Sequence, residues 1–199
     1  DQHRGWFQHA LWTGMALKGK APFTEVLTHG WVLDAHGKAM HKSAGNVIDP
    51  NEMVKKYGAD VLRLWVSSED YTEDVSISDE MLNRMSEAYR RIRNTFRFIL
   101  GNLSDFDPAK DRVAEKDLLA LDLWAWAESR KTLASVTQAY EQFQFTRVFH
   151  ETDRFFSVGL SAGYFDILKD RLYTFAASSR ERRAAQTVLY GILKDFVVA

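Results

Sequence analysis

The sequence predicts a mainly α chain, with a loop-rich α/β portion at its start and a helical bundle after it. Three observations carry this. Gly5, Gly14, Gly19, Gly30, Gly37, Gly45, Pro22 and Pro50 all precede residue 51, so turns punctuate the first quarter. From Ser78 onward, apolar residues recur at threes and fours, the spacing that lines one face of a helix. The 199 residues include no cysteine, which excludes disulfides and thiolate zinc sites and leaves packing to hold the fold.

Val26-Leu27-Thr28 and Trp31-Val32-Leu33 are short β-prone runs on either side of His29-Gly30, and the turn Asp34-Ala35-His36-Gly37 follows. They read as buried strand and then loop. Asp49-Pro50 reads as a helix start, with Asp as cap and Pro in the first turn, and Gly58 as its close. A second short helix carries Val61, Leu62 and Trp65. Leu82, Met85, Tyr89, Ile92, Phe96 and Ile99 form the stripe of a long helix that Gly101 is expected to end. Next comes a stripe of Trp126, Leu133, Val136, Tyr140 and Phe143. A third helix is expected around Phe145 to Phe156, a fourth near Tyr164 to Leu172, and a fifth from Ser179 with Val188, Ile192 and Phe196 inward. Amphipathic helices with short connections make a bundle.

Lys and Arg total 26 against 27 Asp and Glu, a net charge of -1 that excludes a general polyanion binder and an acidic tail. Local basic patches remain open. No apolar run approaches the ~20 residues that cross a bilayer, and no basic-then-apolar leader opens the chain. A soluble, cytoplasmic protein with no membrane partner is expected. Because the chain starts at Asp1 inside a motif and stops directly after Phe196-Val197-Val198, it reads as a piece of a longer protein.

Gly37-Lys38-Ala39-Met40-His41-Lys42-Ser43-Ala44-Gly45-Asn46 gathers cations, a hydroxyl and glycines into one loop, a composition suited to phosphate oxygens. Composition alone is equally that of a solvated turn. The order of residues resembles the Lys-Met-Ser-Lys-Ser signature loop of class I aminoacyl-tRNA synthetases, and Gly45-Asn46-Val47-Ile48-Asp49-Pro50 keeps its usual continuation. Asp1-Gln2-His3-Arg4-Gly5-Trp6-Phe7 resembles the nucleotide-side motif of the isoleucine-specific members, and Thr28-His29-Gly30 stands where they have a His-Gly. Gly58 to Trp65 and Lys169-Asp170-Arg171-Leu172-Tyr173 also match, so the resemblance covers nearly the whole chain. Valine and leucine relatives are the alternatives within the family.

The resemblance implies that residues 1–66 are the C-terminal part of a Rossmann-like nucleotide-binding catalytic domain. Residues 67–199 would then be a connecting segment and an incomplete helical anticodon-binding domain. It implies ATP, with Mg²⁺, isoleucine and tRNA(Ile) as partners of a monomer. Lys42 matches the second signature lysine and is the catalytic candidate, a cation suited to charge on a transferring phosphoryl group. Asp1, Gln2, His29, Gly30, Val32, Met40, His41, Lys42 and Ser43 are the implied ATP and adenylate residues. Ala39 and His41 replace the first lysine and first serine, so Lys38 or His41 would complete the grip. The His-Ile-Gly-His type motif of the other half of the fold is not in this sequence, which predicts that the chain alone is inactive. A helical tRNA-binding or protein-interaction module without catalysis is the alternative function.

Arg90, Arg93 and Arg97 lie at helical spacing away from the apolar stripe. They read as a solvated face, or as phosphate contacts to tRNA, which the resemblance favours. His36 and His41 have no cysteine or acidic cluster beside them in sequence, so no metal site is expected. Trp6, Trp31 and Trp65 read as packing residues.

Overall fold

Three helices begin where the sequence supplies an oxygen cap. In the computed structural model, which describes residues 3–198, Asp49 accepts from the Asn51 amide at 2.8 Å and starts α2 (Pro50–Tyr57). Ser78 accepts from Met81 at the start of α4 (Asp79–Asn102), and Ser179 from Arg182 at the start of α8 (Arg180–Phe196). Each cap satisfies an amide that the first turn leaves without a partner. The remaining helices are α1 (Gln8–Lys18), α3 (Ala59–Ser68), α5 (Ala120–Glu141), α6 (Phe145–Arg154) and α7 (Phe165–Thr174). Among the described residues, no helix is long and apolar enough to cross a membrane.

Only two short strands pair among the described residues, β1 (Val32–Leu33) and β2 (Val75–Ser76), which run parallel with Val32 opposite Val75. The expected buried strand is therefore shorter and more open than its sequence suggests: Val32 is 41% exposed, and Val26-Leu27-Thr28 adopts no strand pairing. A β-prone run needs a neighbour to complete its ladder, and the described residues supply one only at Val32 and Leu33.

Two larger cores form, and α4 belongs to both. Its first half contributes Leu82, Met85 and Ala88 to a cluster with Val61, Trp65 and Ile77, against which Met40, Ile48 and Met53 pack. Its second half contributes Ile99 to the bundle core of Phe156, Leu160, Tyr164, Leu168, Leu189 and Ile192. Side chains of this size stabilise by about 1.5–3 kcal/mol each when fully buried. Tyr57 and Lys56 both reach the Asp79 carboxylate, at 2.8 and 2.9 Å, and tie α2 to the start of α4. The first core thus fixes the foot of the signature loop against the long helix.

Several element readings change in the structure. The first quarter contains α1, continuous with a π-helical turn at His3–Phe7; its apolar residues lie all round, so no one-sided stripe betrays it. Gly101 lies inside α4, which runs one residue further. The expected third and fourth helices are one continuous helical run, because a π-helical stretch at Phe155–Tyr164 carries the chain past Gly159 and Gly163. In α5 the buried line is Asp122, Ala125, Ser129, Thr132, Val136 and Ala139, whereas Tyr140 is largely exposed.

Asp122 is fully buried at the centre of a charged cluster. Arg171 donates to both of its oxygens at 2.8 Å, and the Tyr164 hydroxyl donates to Oδ1 at 2.7 Å. The fork geometry of the guanidinium satisfies both oxygens of the carboxylate at once. This explains the match at Lys169 to Tyr173 structurally, since Arg171 locks α7 onto α5.

Candidate nucleotide site and basic face

The signature loop is organised by Asp34, which the sequence places in an ordinary turn. It is 8% exposed. Its Oδ1 accepts from the His36 and Lys38 amides, each at 2.9 Å, and its Oδ2 accepts from Asn46 Nδ2 at 2.8 Å. These hydrogen bonds, that from Asn46 foremost, hold the carboxyl below its ordinary pKa against the opposing effect of burial. Asn46 also accepts from the His41 amide at 2.9 Å and donates to the Ala39 carbonyl at 3.1 Å, which closes the loop on itself.

Beyond this closure a short 3₁₀ turn, Lys42–Ala44, projects from the fold and ends at Gly45, whose φ of 68° favours glycine. Met40 faces the other way: it packs on the core below, and its sulfur accepts from the Ile48 amide at 3.4 Å. Methionine thus anchors the loop while its neighbours face solvent. His41, Lys42 and Ser43 are exposed. Among the described residues neither Lys38 nor Lys42 has a carboxylate within ion-pair distance. The loop therefore offers two ammonium groups and an imidazole whose hydrogen-bonding capacity is not spent within the fold.

His29, Gly30 and Val32 lie together on the neighbouring extended segment, where residues 27–31 separate two cavities. One, of about 480 Å³, is lined by His3, Trp6 and Phe7. The other, of about 590 Å³, is lined by Trp65, Tyr71, Tyr140 and Phe145. The His29 Nδ1 lies 2.7 Å from the Gly30 carbonyl, an acceptor only, so Nδ1 carries the proton and Nε2 of the neutral ring is left as an acceptor. A Cβ on Gly30 would collide with the backbone of Glu73 and Asp74. Glycine is required here by close packing of two backbones. Asp1 and Gln2, the other implied adenylate residues, lie outside the described residues.

On α4, Arg90, Arg93 and Arg97 are exposed, within about 60° of arc at the helix's 100° per residue. None of the three pairs with a carboxylate among the described residues, whereas their neighbour Arg91 bonds Asp153 at 3.2 Å. The loop cations flank the first core, whereas the arginines lie on the part of α4 whose Ile92, Phe96 and Ile99 pack into the bundle core. Among the described residues no group of three or more His, Asp or Glu side chains converges as a metal site would require.

Residues 1–78 match the family model for class I tRNA synthetases (I, L, M and V), and residues 122–199 match that for the anticodon-binding domain of tRNA ligase. The chain belongs to the class I tRNA synthetases. Within that family it is 55% identical over 198 residues to an isoleucine--tRNA ligase of Syntrophomonas wolfei, covering 100% of this chain and 21% of the relative. The isoleucine--tRNA ligase of Persephonella marina is 54% identical over 193 residues, 97% of this chain and 20% of its own. The chain spans about a fifth of the length of these synthetases. Its fold is also that of a segment of the LeuRS of Agrobacterium radiobacter K84, solved in a ternary complex with tRNA and LeuAMS. There the TM-score is 0.68 at 21% identity, over 92% of this chain and 23% of that one.

Proposed function

We propose that this chain is the part of an isoleucine-activating synthetase that grips the phosphates of ATP and contacts tRNA(Ile). In the parent enzyme the isoleucine carboxylate attacks the α-phosphorus of ATP and pyrophosphate leaves, and a hydroxyl at the tRNA end then takes the aminoacyl group from the resulting adenylate as AMP departs. The observation that carries the reading is Lys42, exposed and without a carboxylate partner among the described residues, on a loop that Asp34 and Asn46 hold in shape. A cation fixed before the reaction stabilises charge developing on the phosphoryl oxygens without reorganising at that moment. Mg²⁺ would arrive on the nucleotide phosphates. The nucleotide part occupies residues 1–66 and the connecting and anticodon-binding part residues 67–199, in a cytoplasmic monomer.

Isoleucine-dependent exchange of pyrophosphate into ATP tests the loop. In a full-length isoleucine ligase containing this segment, Lys42→Ala is expected to lower exchange on the order of a hundredfold, the cost of one lost electrostatic donor. A normal rate would remove Lys42 from the mechanism.

The exposed arginines on α4 support the RNA part of the reading. Phosphate contacts release counterions, so binding through Arg90, Arg93 and Arg97 depends steeply on salt. Replacing all three by alanine is expected to weaken tRNA binding and flatten the salt dependence. Unchanged affinity and slope would leave them a solvated helix face.

A further inference from the structure

Residues 69–74 form a bridge with a different partner on each side. Toward the nucleotide segment, the Tyr71 carbonyl accepts from the Gly30 amide at 2.8 Å, and Asp74 Oδ1 accepts from the Trp31 amide at 2.7 Å. Toward the helical part, the Tyr71 hydroxyl donates to the Phe143 carbonyl at 2.7 Å, and Thr146 Oγ1 donates to the Glu69 carbonyl at 2.8 Å. The Tyr71 ring also packs on Phe145, with centroids 5.7 Å apart.

The turn at the far end is unusual. After α5 the Gln144 amide returns to the Ala139 carbonyl at 2.8 Å and the Phe143 amide to that of Tyr140 at 3.1 Å, the bonding of a Schellman cap. Such a cap needs a left-handed residue, commonly glycine, and here Phe143 takes it at a φ of 56°. Among the described residues it is the one non-glycine with positive φ. A strained residue persists where its surroundings hold it, and the Tyr71 hydroxyl and the Phe145 ring are those surroundings.

We propose that Tyr71 is a positioning residue for the nucleotide site, a role that rests on the site reading above. Its hydroxyl is fixed by the α5–α6 turn, its carbonyl fixes the Gly30 peptide, and the Gly30 carbonyl holds His29 in the Nδ1–H form. The orientation of His29 therefore depends on a turn in the helical part, more than 110 residues along the chain.

Nuclear magnetic resonance on the 199-residue chain tests the connection through the Gly30 amide exchange rate and the His29 ring nitrogen shifts. Tyr71→Phe keeps the ring and removes the hydroxyl. It is expected to speed Gly30 exchange about fivefold, as for one lost neutral hydrogen bond, and to shift His29 toward the Nε2–H tautomer. Thr146→Val loosens the same bridge at its other attachment and is expected to move the same two signals. Tyr89→Phe, which loses a hydroxyl bond to Asp60, should move neither. Unchanged signals in both bridge variants overturn the proposal, as does a loss of protection spread evenly through Leu82, Ile99 and Leu189. In a full-length isoleucine ligase, Tyr71→Phe should raise the KM for ATP several-fold with little change in kcat. A normal KM overturns the positioning role alone, whereas normal exchange by Lys42→Ala overturns the site reading on which it rests.

Discussion

Two aspartates show how far a single residue can set its surroundings. Asp34 gathers two amides and the Asn46 side chain, so Asp34→Ala is expected to raise exchange at the His36 and Lys38 amides while α8 stays protected. Its pKa is lowered in the fold, so the stabilisation is present above the unfolded value of about 3.9 and is lost as pH falls through the folded one. Acid should therefore loosen the loop. Asp122 is the stricter case: Asp122→Ala leaves a guanidinium and a phenol facing each other with no acceptor, which costs about 3–5 kcal/mol in urea unfolding. Burial pushes the Tyr164 hydroxyl well above its ordinary pKa, with Asp122 adding to the effect. The folded state then holds that proton more tightly than the unfolded one, so stability falls as pH rises above about 10.

Among the elements, α5 and α8 show why periodicity gives only part of a bundle. The large apolar residues of α5 predict a stripe that holds at Val136, buried, and at Trp126 and Leu133, which pack on the bundle core, but Tyr140 is exposed and Ala125, Ser129, Thr132 and Ala139 line the interior. Close approach of helices selects small side chains, and hydrophobicity does not register that selection. Gly191 on α8 makes the same point, since a Cβ there would overlap the Trp126 ring. Gly191→Ala is expected to destabilise by about 1–3 kcal/mol in thermal or urea unfolding, because the indole has to be displaced. By contrast, the starts of α2, α4 and α8 were legible, as a polar cap acts within a few residues of sequence and needs no partner from elsewhere. The site divides along the same line. Lys42 and its exposed neighbours stand in a local motif, whereas the support from Asp34, the Gly30–Glu73 contact and the Tyr71–Phe143 bond join distant segments that no single window contains.

At the scale of the whole molecule, burial is distributed unevenly, and this sets an order of stability. Between residues 3 and 33 no residue is buried, and Trp6, Trp12, Leu17 and Trp31 are each more than 60% exposed. The bundle, in contrast, encloses Leu160, Tyr164, Leu168, Leu189 and Ile192 completely. Opening a segment that buries little apolar surface forfeits little free energy, so it exchanges its amides through local fluctuations, while the bundle core exchanges only on near-global unfolding. Hydrogen exchange on the 199-residue chain should therefore show weak protection through α1 and Val26 to Leu33, and strong protection in α4, α7 and α8. Equal protection across both regions would mean that the small β1–β2 pairing and the bridge at residues 69–74 hold the first portion more firmly than its burial implies. The same imbalance bears on catalysis, since phosphoryl transfer requires its cations in one fixed geometry. With the chain spanning a fifth of its relatives and carrying no His-Ile-Gly-His type motif, it should show no isoleucine-dependent pyrophosphate exchange by itself. Measurable exchange would show that the Lys42 loop can organise ATP without the other half of the nucleotide fold.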